Sequence, residues 1–275
     1  PASINKCVTA AAIEMAGLAD DTYQTEVFVR GSDDGCGRLY GDIIVKASGD
    51  PTIESGRFAG KGNIINAITK ALHESHINEI YGALEIDSVG FKEQGPIGTW
   101  EMGDLRHAYG AGLYALNFRD NATNQFALED PGEEFLIALE ERLDHDSIDV
   151  DWNDVAPTPA PMRSIATIIS PTLAEILRVT LETSHNLYAE AMLRKLAPWG
   201  NRADALKRET ALLAENGIDV ESARIFDGSG LTRANSMTPR FMASLLAYCA
   251  RQPWGSRYIA YFPLVGREGT VRRLL

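Results

Sequence analysis

The chain begins with residues 1–17, PASINKCVTAAAIEMAG, in which apolar side chains recur at the spacing of a helix face. These side chains are Ile4, Val8, Ala11, Ala12 and Met15. We predict a helix over residues 3–18, where a glycine near the end closes the pattern. The period then changes to the alternation of strands in YQTEVFVR (23–30) and RLYGDIIVKA (38–47). One helix at the start of the chain is therefore followed by a segment of mixed α and β character.

A proline-rich stretch, PTPAP at residues 157–161, has the composition of a linker and predicts a boundary between two parts of the chain. The first part is mixed, and the second part is rich in helices. Before the linker we predict helices over 61–75 and 133–143, a strand over 80–87 and an irregular segment over 88–130. After it we predict helices over 171–182, 187–197, 202–216 and 239–251 and a strand over 222–226. The expected fold class is α/β, in the broader α+β sense.

The composition is that of an ordinary globular protein and excludes several classes of function. The chain has 275 residues, of which 45% are hydrophobic and 23% are charged, and its formal net charge is −12. The length allows two domains or one large domain, and the balance excludes disordered and low-complexity classes. An acidic chain without a run of Lys and Arg is not expected to bind nucleic acid. No apolar run approaches the ~20 residues that a membrane-spanning helix needs.

We expect neither a metal nor a cofactor. Cys7, Cys36 and Cys249 form neither a disulfide framework nor a metal-binding pattern. His73 and His76 lie one helical turn apart, but no third ligand accompanies them. The glycine-containing segment GRFAGKG has the wrong spacing for a phosphate-binding loop and lacks its serine or threonine.

The first helix carries a serine and a lysine three residues apart, Ser3 and Lys6. Positions i and i+3 share a helix face, so the Lys6 amine can reach the Ser3 hydroxyl. A lysine with a lowered pKa can act as the base toward a serine nucleophile, and the free N–H groups of a first helical turn favour a developing oxyanion. Taken alone, a helix-capping serine followed by a solvated lysine is the simpler explanation.

A second pair of polar residues, Ser184 and Asn186 in TSHNLYAE, lies between two predicted helices. This serine can relay a proton, and the asparagine amide can hold both a lysine amine and a substrate backbone. Together with Ser3 and Lys6, the pair follows the order S-x-x-K then S-x-N of penicillin-recognising serine enzymes. The combination of both pairs favours a catalytic role for these residues over a role as helix caps.

Longer segments carry a resemblance to a known family along the whole chain. They are, in order, PASINKCVTAAA, LYGDIIVKASGDPT, YGALEIDSVGF, TSHNLYAEAMLRKL, FDGSGLTRANSMTP and FPLVGREGTVRR. Together they resemble the D-alanyl-D-alanine carboxypeptidase/endopeptidase family of the penicillin-binding protein 4 (DacB-like) type. The resemblance implies a penicillin-binding/β-lactamase-like transpeptidase domain with a sheet flanked by helices, formed by residues 1–22 and 160–275. Residues 23–159 would form an inserted mixed α/β domain.

The resemblance also implies roles for individual residues. Ser3 would be the acylated nucleophile, Lys6 its base and Ser184 the proton relay, and Asn186 would contact both Lys6 and the substrate. Ser3 would attack the carbonyl of the penultimate D-Ala of a peptidoglycan stem peptide, and water would release the acyl-enzyme. Penicillins and other β-lactams, which mimic D-Ala-D-Ala, would stall at the acyl stage as covalent inhibitors.

The inserted domain of this family contributes a pocket for a side chain of the stem peptide. Trp100, Asp104 and Tyr109 stand where its W…D…Y pattern falls, and Leu231 and Arg233 match the facing wall. Asp104 would pair with the ammonium group of a diaminopimelate side chain, and Arg233 would pair with its carboxylate.

The sequence departs from the family pattern because no Lys-Thr-Gly tripeptide occurs in it. We expect this motif to lie outside the 275 residues. His185 stands at the middle position of Ser-x-Asn, where the family commonly has Asp. We interpret this difference as a tolerated change that tunes the site.

Two alternatives stay open. A β-lactamase shares Ser3 and Lys6, but no E-x-x-L-N-like motif follows Ser184. A catalytically inactive peptidoglycan-binding protein is supported by the missing tripeptide. A peptidoglycan substrate implies export to the periplasm or the cell envelope, and homo-oligomer formation stays open.

Overall fold

The computed structural model describes residues 2–152 and 162–273. Their α-helices are α1 (Asn5–Met15), α2 (Ile64–Glu74), α3 (Pro131–His145), α4 (Leu173–Thr183), α5 (Asn186–Lys195), α6 (Arg202–Glu215), α7 (Pro239–Ala250) and α8 (Gly255–Ile259). Their strands are β1 (Gln24–Asp33), β2 (Arg38–Lys46), β3 (Glu79–Gly82), β4 (Leu84–Asp87), β5 (Ala122–Thr123), β6 (Phe126–Ala127), β7 (Asp149–Trp152), β8 (Met162–Ile169), β9 (Ala223–Arg224) and β10 (Ser236–Met237). These elements form a part built on a sheet and a part built on helices.

The large sheet has the strand order β7-β3-β2-β1-β8, and β4 pairs with β2 beside β3. β1 pairs antiparallel with β2 and β8, whereas β3 and β4 run parallel to β2. Side chains alternate between the two faces of a strand, so Val27 and Val29 of β1 point to the same face. Both are buried in one apolar core with residues of α2 and α3. The sheet and these two helices therefore form one packed unit.

α1 lies at the centre of the helical part, where it contacts α4, α5, α6, α7 and α8. Every residue from Asn5 to Glu14 is buried, and Ala10, Ala11 and Ala12 are completely so. Small side chains on this helix let its neighbours approach closely on all sides. The polar residues at the ends of α1 are also buried. They need hydrogen-bond partners, because burying an unpaired polar group costs free energy. Within the described residues, no helix has the length and apolar character of a membrane span.

Most of the predicted helices and strands are present, with bounds that shift by a few residues. The strand predicted over 80–87 is divided at Ala83 into β3 and β4. β7 and α8 escaped prediction because four or five residues are too few to show a period. β8 escaped it because this edge strand is largely exposed and lacks a clear alternation. The linker predicted at 157–161 lies outside the described residues.

The position of β8 bears on the division into domains. β8 pairs with β1 from Gln24 to Arg30, so residues 162–169 belong to the same sheet as the segment expected to be inserted. A boundary between residues 159 and 160 would divide this sheet, and we propose that the inserted part extends to Ile169. Among the described residues, the helical part contains only the two-stranded ribbon of β9 and β10. Within the described residues, the strands of the large sheet lie between Gln24 and Ile169, and the division into two domains stays a prediction.

The irregular segment over residues 88–130 connects the two parts. It contains short 3₁₀ turns, one of them at Ala108–Gly110, and the two-residue strands β5 and β6. The turn at Ala108–Gly110 contacts α5. The segment thus extends from the sheet part to the helical part and reaches it near the start of α1.

Candidate active site

Ser3 lies in a 3₁₀ turn, Ala2–Ile4, that leads directly into α1, and its side chain is exposed. The turn is held by close packing against Gly230, whose backbone φ of +84° lies in the left-handed region. A Cβ atom at Gly230 would stand 1.9 Å from the carbonyl oxygen of Ala2, so a glycine is required there. This contact fixes the serine at the N-terminal end of a buried helix.

Lys6 lies one turn below Ser3, and it is 1% exposed. Its Nζ donates hydrogen bonds to Ser3 Oγ at 3.1 Å, to Asn186 Oδ1 at 2.6 Å and to the carbonyl oxygen of Ser229 at 2.7 Å. Burial lowers the pKa of Lys6 to about 8, although the carboxylates of Glu190 and Asp227 act in the opposite direction. A neutral amine is therefore accessible near neutral pH, next to the serine hydroxyl.

Ser184 completes the approach to the serine from the other side. It ends α4 as a cap residue with φ of 58°, in the left-handed region. This conformation directs its Oγ to Ser3 Oγ at 2.8 Å. The Ser3 oxygen therefore lies between a lysine amine and a second hydroxyl.

Asn186 is the first residue of α5 and contacts two parts of the site. Its Oδ1 accepts the hydrogen bond from Lys6, and its Nδ2 donates to the carbonyl oxygen of Tyr109 at 2.7 Å. One amide thus orients the lysine and attaches the connecting segment to the helical part. The structure brings together all four residues that the sequence predicted to be catalytic.

Two buried acids behind Lys6 were not singled out by sequence reasoning, although both lie inside quoted motifs. Asp227 is fully buried, and it accepts hydrogen bonds from the backbone N–H groups of Gly230 and Thr232. Glu190 accepts from the backbone N–H groups of Gly228 and Ser229. Burial raises the pKa of Glu190 to about 7, and the charge of Asp227 adds to the effect. These acids shape the loop whose Ser229 carbonyl holds the lysine.

The five residues predicted to bind a substrate side chain occupy different environments. Trp100 is buried, and its indole N–H donates to Asp227 at 3.0 Å, so it supports the loop from beneath. The Tyr109 hydroxyl donates to Asp104 Oδ1 at 3.0 Å. Arg233 is exposed and forms an ion pair with Glu101, a partner that sequence reasoning missed.

Leu231 is partly buried, and it follows the Ser229 backbone that Lys6 contacts. Next to it, Thr232 bonds through its hydroxyl to Thr99 at 2.8 Å. This bond joins the connecting segment to the loop that carries Arg233. The residues predicted to form the side-chain pocket therefore come from two segments that this bond joins.

His185, between Ser184 and Asn186, turns away from the serine. Its ring stacks on Tyr188 with ring centroids 3.9 Å apart, and it lies 3.8 Å from Asp120. Burial lowers the pKa of His185 to about 4, so the imidazole is neutral near pH 7. Its interpreted tuning role therefore does not include a positive charge at neutral pH.

The sequence profile of the D-Ala-D-Ala carboxypeptidase 3 (S13) family matches residues 1–149 and residues 119–274. The chain belongs to this family. Membership confirms the family that the sequence motifs predicted. This S13 chain has its Ser-x-x-Lys pair at the start of α1 and its Ser-x-Asn residues at the junction of α4 and α5.

Two curated relatives of this S13 chain match almost all of it. Carboxypeptidase Rv3627c of Mycobacterium tuberculosis is 24% identical over 288 residues, which cover 98% of this chain and 60% of the relative. A D-alanyl-D-alanine carboxypeptidase of Actinomadura is 23% identical over 349 residues, which cover 98% of this chain and 63% of the relative. The chain spans less than two thirds of the length of the curated relatives it matches.

Solved structures share the fold of this chain. The crystal structure of penicillin binding protein 4 (dacB) from Haemophilus influenzae has a TM-score of 0.80 and 19% sequence identity, and the match covers 99% of this chain and 75% of that chain. The same protein complexed with a β-lactam gives a TM-score of 0.75 at 20% identity and covers 99% and 73%. The predicted α/β fold class of penicillin-binding proteins is confirmed.

Proposed function

We propose that this protein is a serine-type D-Ala-D-Ala carboxypeptidase/endopeptidase that acts on peptidoglycan stem peptides through an acyl-enzyme. The observation that carries the proposal is the position of Ser3 Oγ, between the Lys6 amine at 3.1 Å and the Ser184 hydroxyl at 2.8 Å. A nucleophile, a base and a proton relay within hydrogen-bond reach form the arrangement that serine acyl transfer needs. Family membership adds the substrate class.

The reaction follows from the protonation state of Lys6. With a pKa of about 8, roughly a tenth of the lysine is neutral at pH 7. The neutral Lys6 amine takes the proton of the Ser3 hydroxyl. At the same time, Ser3 Oγ forms a bond to the carbonyl carbon of the penultimate D-Ala. The C–N bond to the terminal residue then breaks, and Ser184 passes a proton to the departing amine. Water attacks the ester, which releases the shortened peptide and restores the Ser3 hydroxyl.

β-Lactams would enter the same path as covalent inhibitors. The β-lactam complex of the Haemophilus influenzae protein supports this step, because that protein shares the fold. Ser3 would open the lactam ring and keep the acyl group, since the leaving nitrogen stays tethered and blocks the attack of water. We place the protein in the cell envelope, where such a substrate occurs.

The side-chain pocket is proposed for the acyl-donor peptide. Asp104 has one oxygen engaged by Tyr109, which leaves the other to meet an ammonium group. A substrate carboxylate would reach Arg233 in competition with Glu101. Leu231 and Tyr109 would supply apolar contact, whereas Trp100 acts through the loop beneath.

Acylation of the full-length protein by a fluorescent penicillin tests the function. We expect Ser3→Ala to abolish labelling, because within the described residues Ser3 Oγ is the one side-chain hydroxyl that accepts a hydrogen bond from Lys6 Nζ. Ser256→Ala, an exposed serine on α8, is the matched control and should label like the wild type. Labelling that persists in Ser3→Ala contradicts the assignment.

Two further outcomes would indicate the alternatives. Rapid turnover of the penicillin after acylation would indicate a β-lactamase. A wild type that is acylated neither by penicillin nor by D-Ala-D-Ala peptides would indicate a binding protein. The buried lysine favours the enzyme, because burial of an amine costs free energy that binding alone does not explain.

A further inference from the structure

A cavity of about 610 Å³ opens beside Ser184 and Asn186, and its lining includes Tyr109 but neither Asp104 nor Arg233. Its other walls come from residues 107–109, from the segment around Arg119 and Asp120, and from Arg57. Ser184 Oγ, on the rim, lies 2.8 Å from the nucleophile, so anything bound in the cavity lies next to the reacting atoms. The cavity is large enough for part of a peptide.

The charge of the cavity is positive in an acidic protein. Arg57 and Arg119 face a single carboxylate, Asp120, and the ion pair of Arg57 with Asp120 measures 3.0 Å. Among residues 2–152 and 162–273, no acid pairs with Arg119. His185, which also lines the cavity, is neutral near pH 7. One guanidinium is therefore left over, in a chain with a net charge of −12.

The Arg119 guanidinium is positioned before any ligand arrives. Its Cζ lies over the ring of the buried Phe118, 4.6 Å from the ring centroid, and within the described residues its side chain donates no hydrogen bond. The backbone beneath it is fixed by Asn121, whose Nδ2 donates to Asn117 Oδ1 at 2.7 Å and whose Oδ1 accepts from the Phe118 N–H at 2.8 Å. A side chain held in this way loses little entropy when it binds an anion.

The carboxylate that neutralises Arg57 is also held in place. The Asp120 carboxylate accepts a hydrogen bond from the Tyr188 hydroxyl, and that hydroxyl also bonds to Ser55 Oγ at 2.8 Å. Tyr188 in turn stacks on His185. Arg57 is thus neutralised by a fixed acid, and Arg119 is the donor that remains for a ligand.

We propose that this cavity is a second subsite of the enzyme, in which Arg119 binds a carboxylate of the peptide substrate. The inference rests on the proposed function, because it presupposes a peptide acylating Ser3. The carboxylate comes either from the acyl-donor part, before the penultimate D-Ala, or from the leaving part. An arginine fork matches a carboxylate by two parallel hydrogen bonds, so the subsite selects acids over amides.

The test compares acid and amide substrates in matched pairs. One pair carries a carboxylate or a carboxamide before the penultimate D-Ala, and the other pair carries it on the leaving residue. For the pair that uses the subsite, we expect Arg119→Gln to lower kcat/KM for the acid about tenfold, mainly through KM. The amide should change less than about twofold, and Arg119→Lys should restore part of the loss.

The controls separate the subsite from the general chemistry. Arg240→Gln, which removes an exposed arginine of α7, should leave the acid-to-amide ratio as in the wild type. An acid-to-amide ratio unchanged by Arg119→Gln in both pairs overturns the subsite, while cleavage of these peptides by the wild type keeps the proposed function. A wild type that cleaves none of the peptides and is not acylated by penicillin overturns both proposals.

Discussion

Lys6 shows how the environment of one residue determines the chemistry of the site. Its burial lowers the amine pKa toward neutrality, and Glu190 and Asp227 limit the decrease. Glu190 does not touch the serine; it holds the backbone of Ser229, whose carbonyl accepts from the lysine. Glu190 is therefore a positioning residue that also sets the charge around the base.

The first prediction concerns the pH dependence of acylation. The reaction needs the neutral amine, so its rate rises with pH through the pKa of Lys6, near 8 in the wild type. Glu190→Gln removes a negative charge that raises this pKa. We therefore expect the rise of the acylation rate with pH, the rising limb of the pH–rate profile, to move to lower pH by about one unit. The measurement is the second-order rate constant of penicillin acylation between pH 5 and about 10.

Two measurements make this outcome decisive. Glu140→Gln, on the exposed face of α3, should leave the limb unchanged. The Tm of Glu190→Gln shows whether the fold persists, because the buried acid also bonds to two backbone N–H groups. A folded variant with an unshifted limb would contradict the role of Glu190.

At the scale of elements, the site depends on how the start of α1 meets the loop before β10. Gly230 touches the carbonyl of Ala2, and no larger residue fits without moving the turn that carries Ser3. Helix α1 is buried on all sides and cannot shift in response. The turn must therefore absorb any change.

The second prediction is that Gly230→Ala lowers acylation about a hundredfold, since a displacement of about 1 Å at the nucleophile has effects of this size. Gly217→Ala is a close control, because Gly217 has a φ of +76° and no atom within 4 Å of its Cβ position. It should cost about 1 kcal/mol of stability from backbone strain alone and keep full activity. Equal acylation rates in the two variants would show that the contact does not position Ser3.

At the scale of the whole molecule, the site lies where the two parts meet. The helical part provides Ser3, Lys6 and Ser184, and the connecting segment provides Asp104 and the Tyr109 carbonyl that bonds to Asn186. The proposed side-chain pocket therefore depends on both parts. Its substrate specificity can change while the proposed catalytic residues stay the same.

The third prediction follows from this separation. Asp104→Asn should lower kcat/KM about tenfold for a peptide with a diaminopimelate side chain, because it removes the charge that pairs with the ammonium group. A peptide with that side chain trimmed to alanine should lose less than about twofold. Asp144→Asn, on the exposed surface of α3, is the control. Equal losses for both peptides would remove the pocket assignment.

Local sequence patterns predicted a large share of the fold. The alternation of β1 and β2 and the period of α2 to α7 were visible from the sequence, because neighbours at i+2, i+3 and i+4 are set by backbone geometry. The four positions proposed to be catalytic were recognised from short motifs and their order. The edge strand β8 was missed, since its pairing with β1 joins residues more than a hundred positions apart and leaves no local period.

For this protein, the sequence alone established the S-x-x-K pair, its helix and the family, because these depend on residue type and short spacing. Tertiary structure decided the rest of the site. Only the folded chain buries Lys6 between Asn186 and Ser229 and places Trp100 beneath the Asp227 loop. In the cavity beside Ser184 it pairs Asp120 with Arg57, so Arg119 has no ion-pair partner within the described residues. Burial, and with it the pKa of a base or the strength of an ion pair, is a property of what the distant segments remove from water.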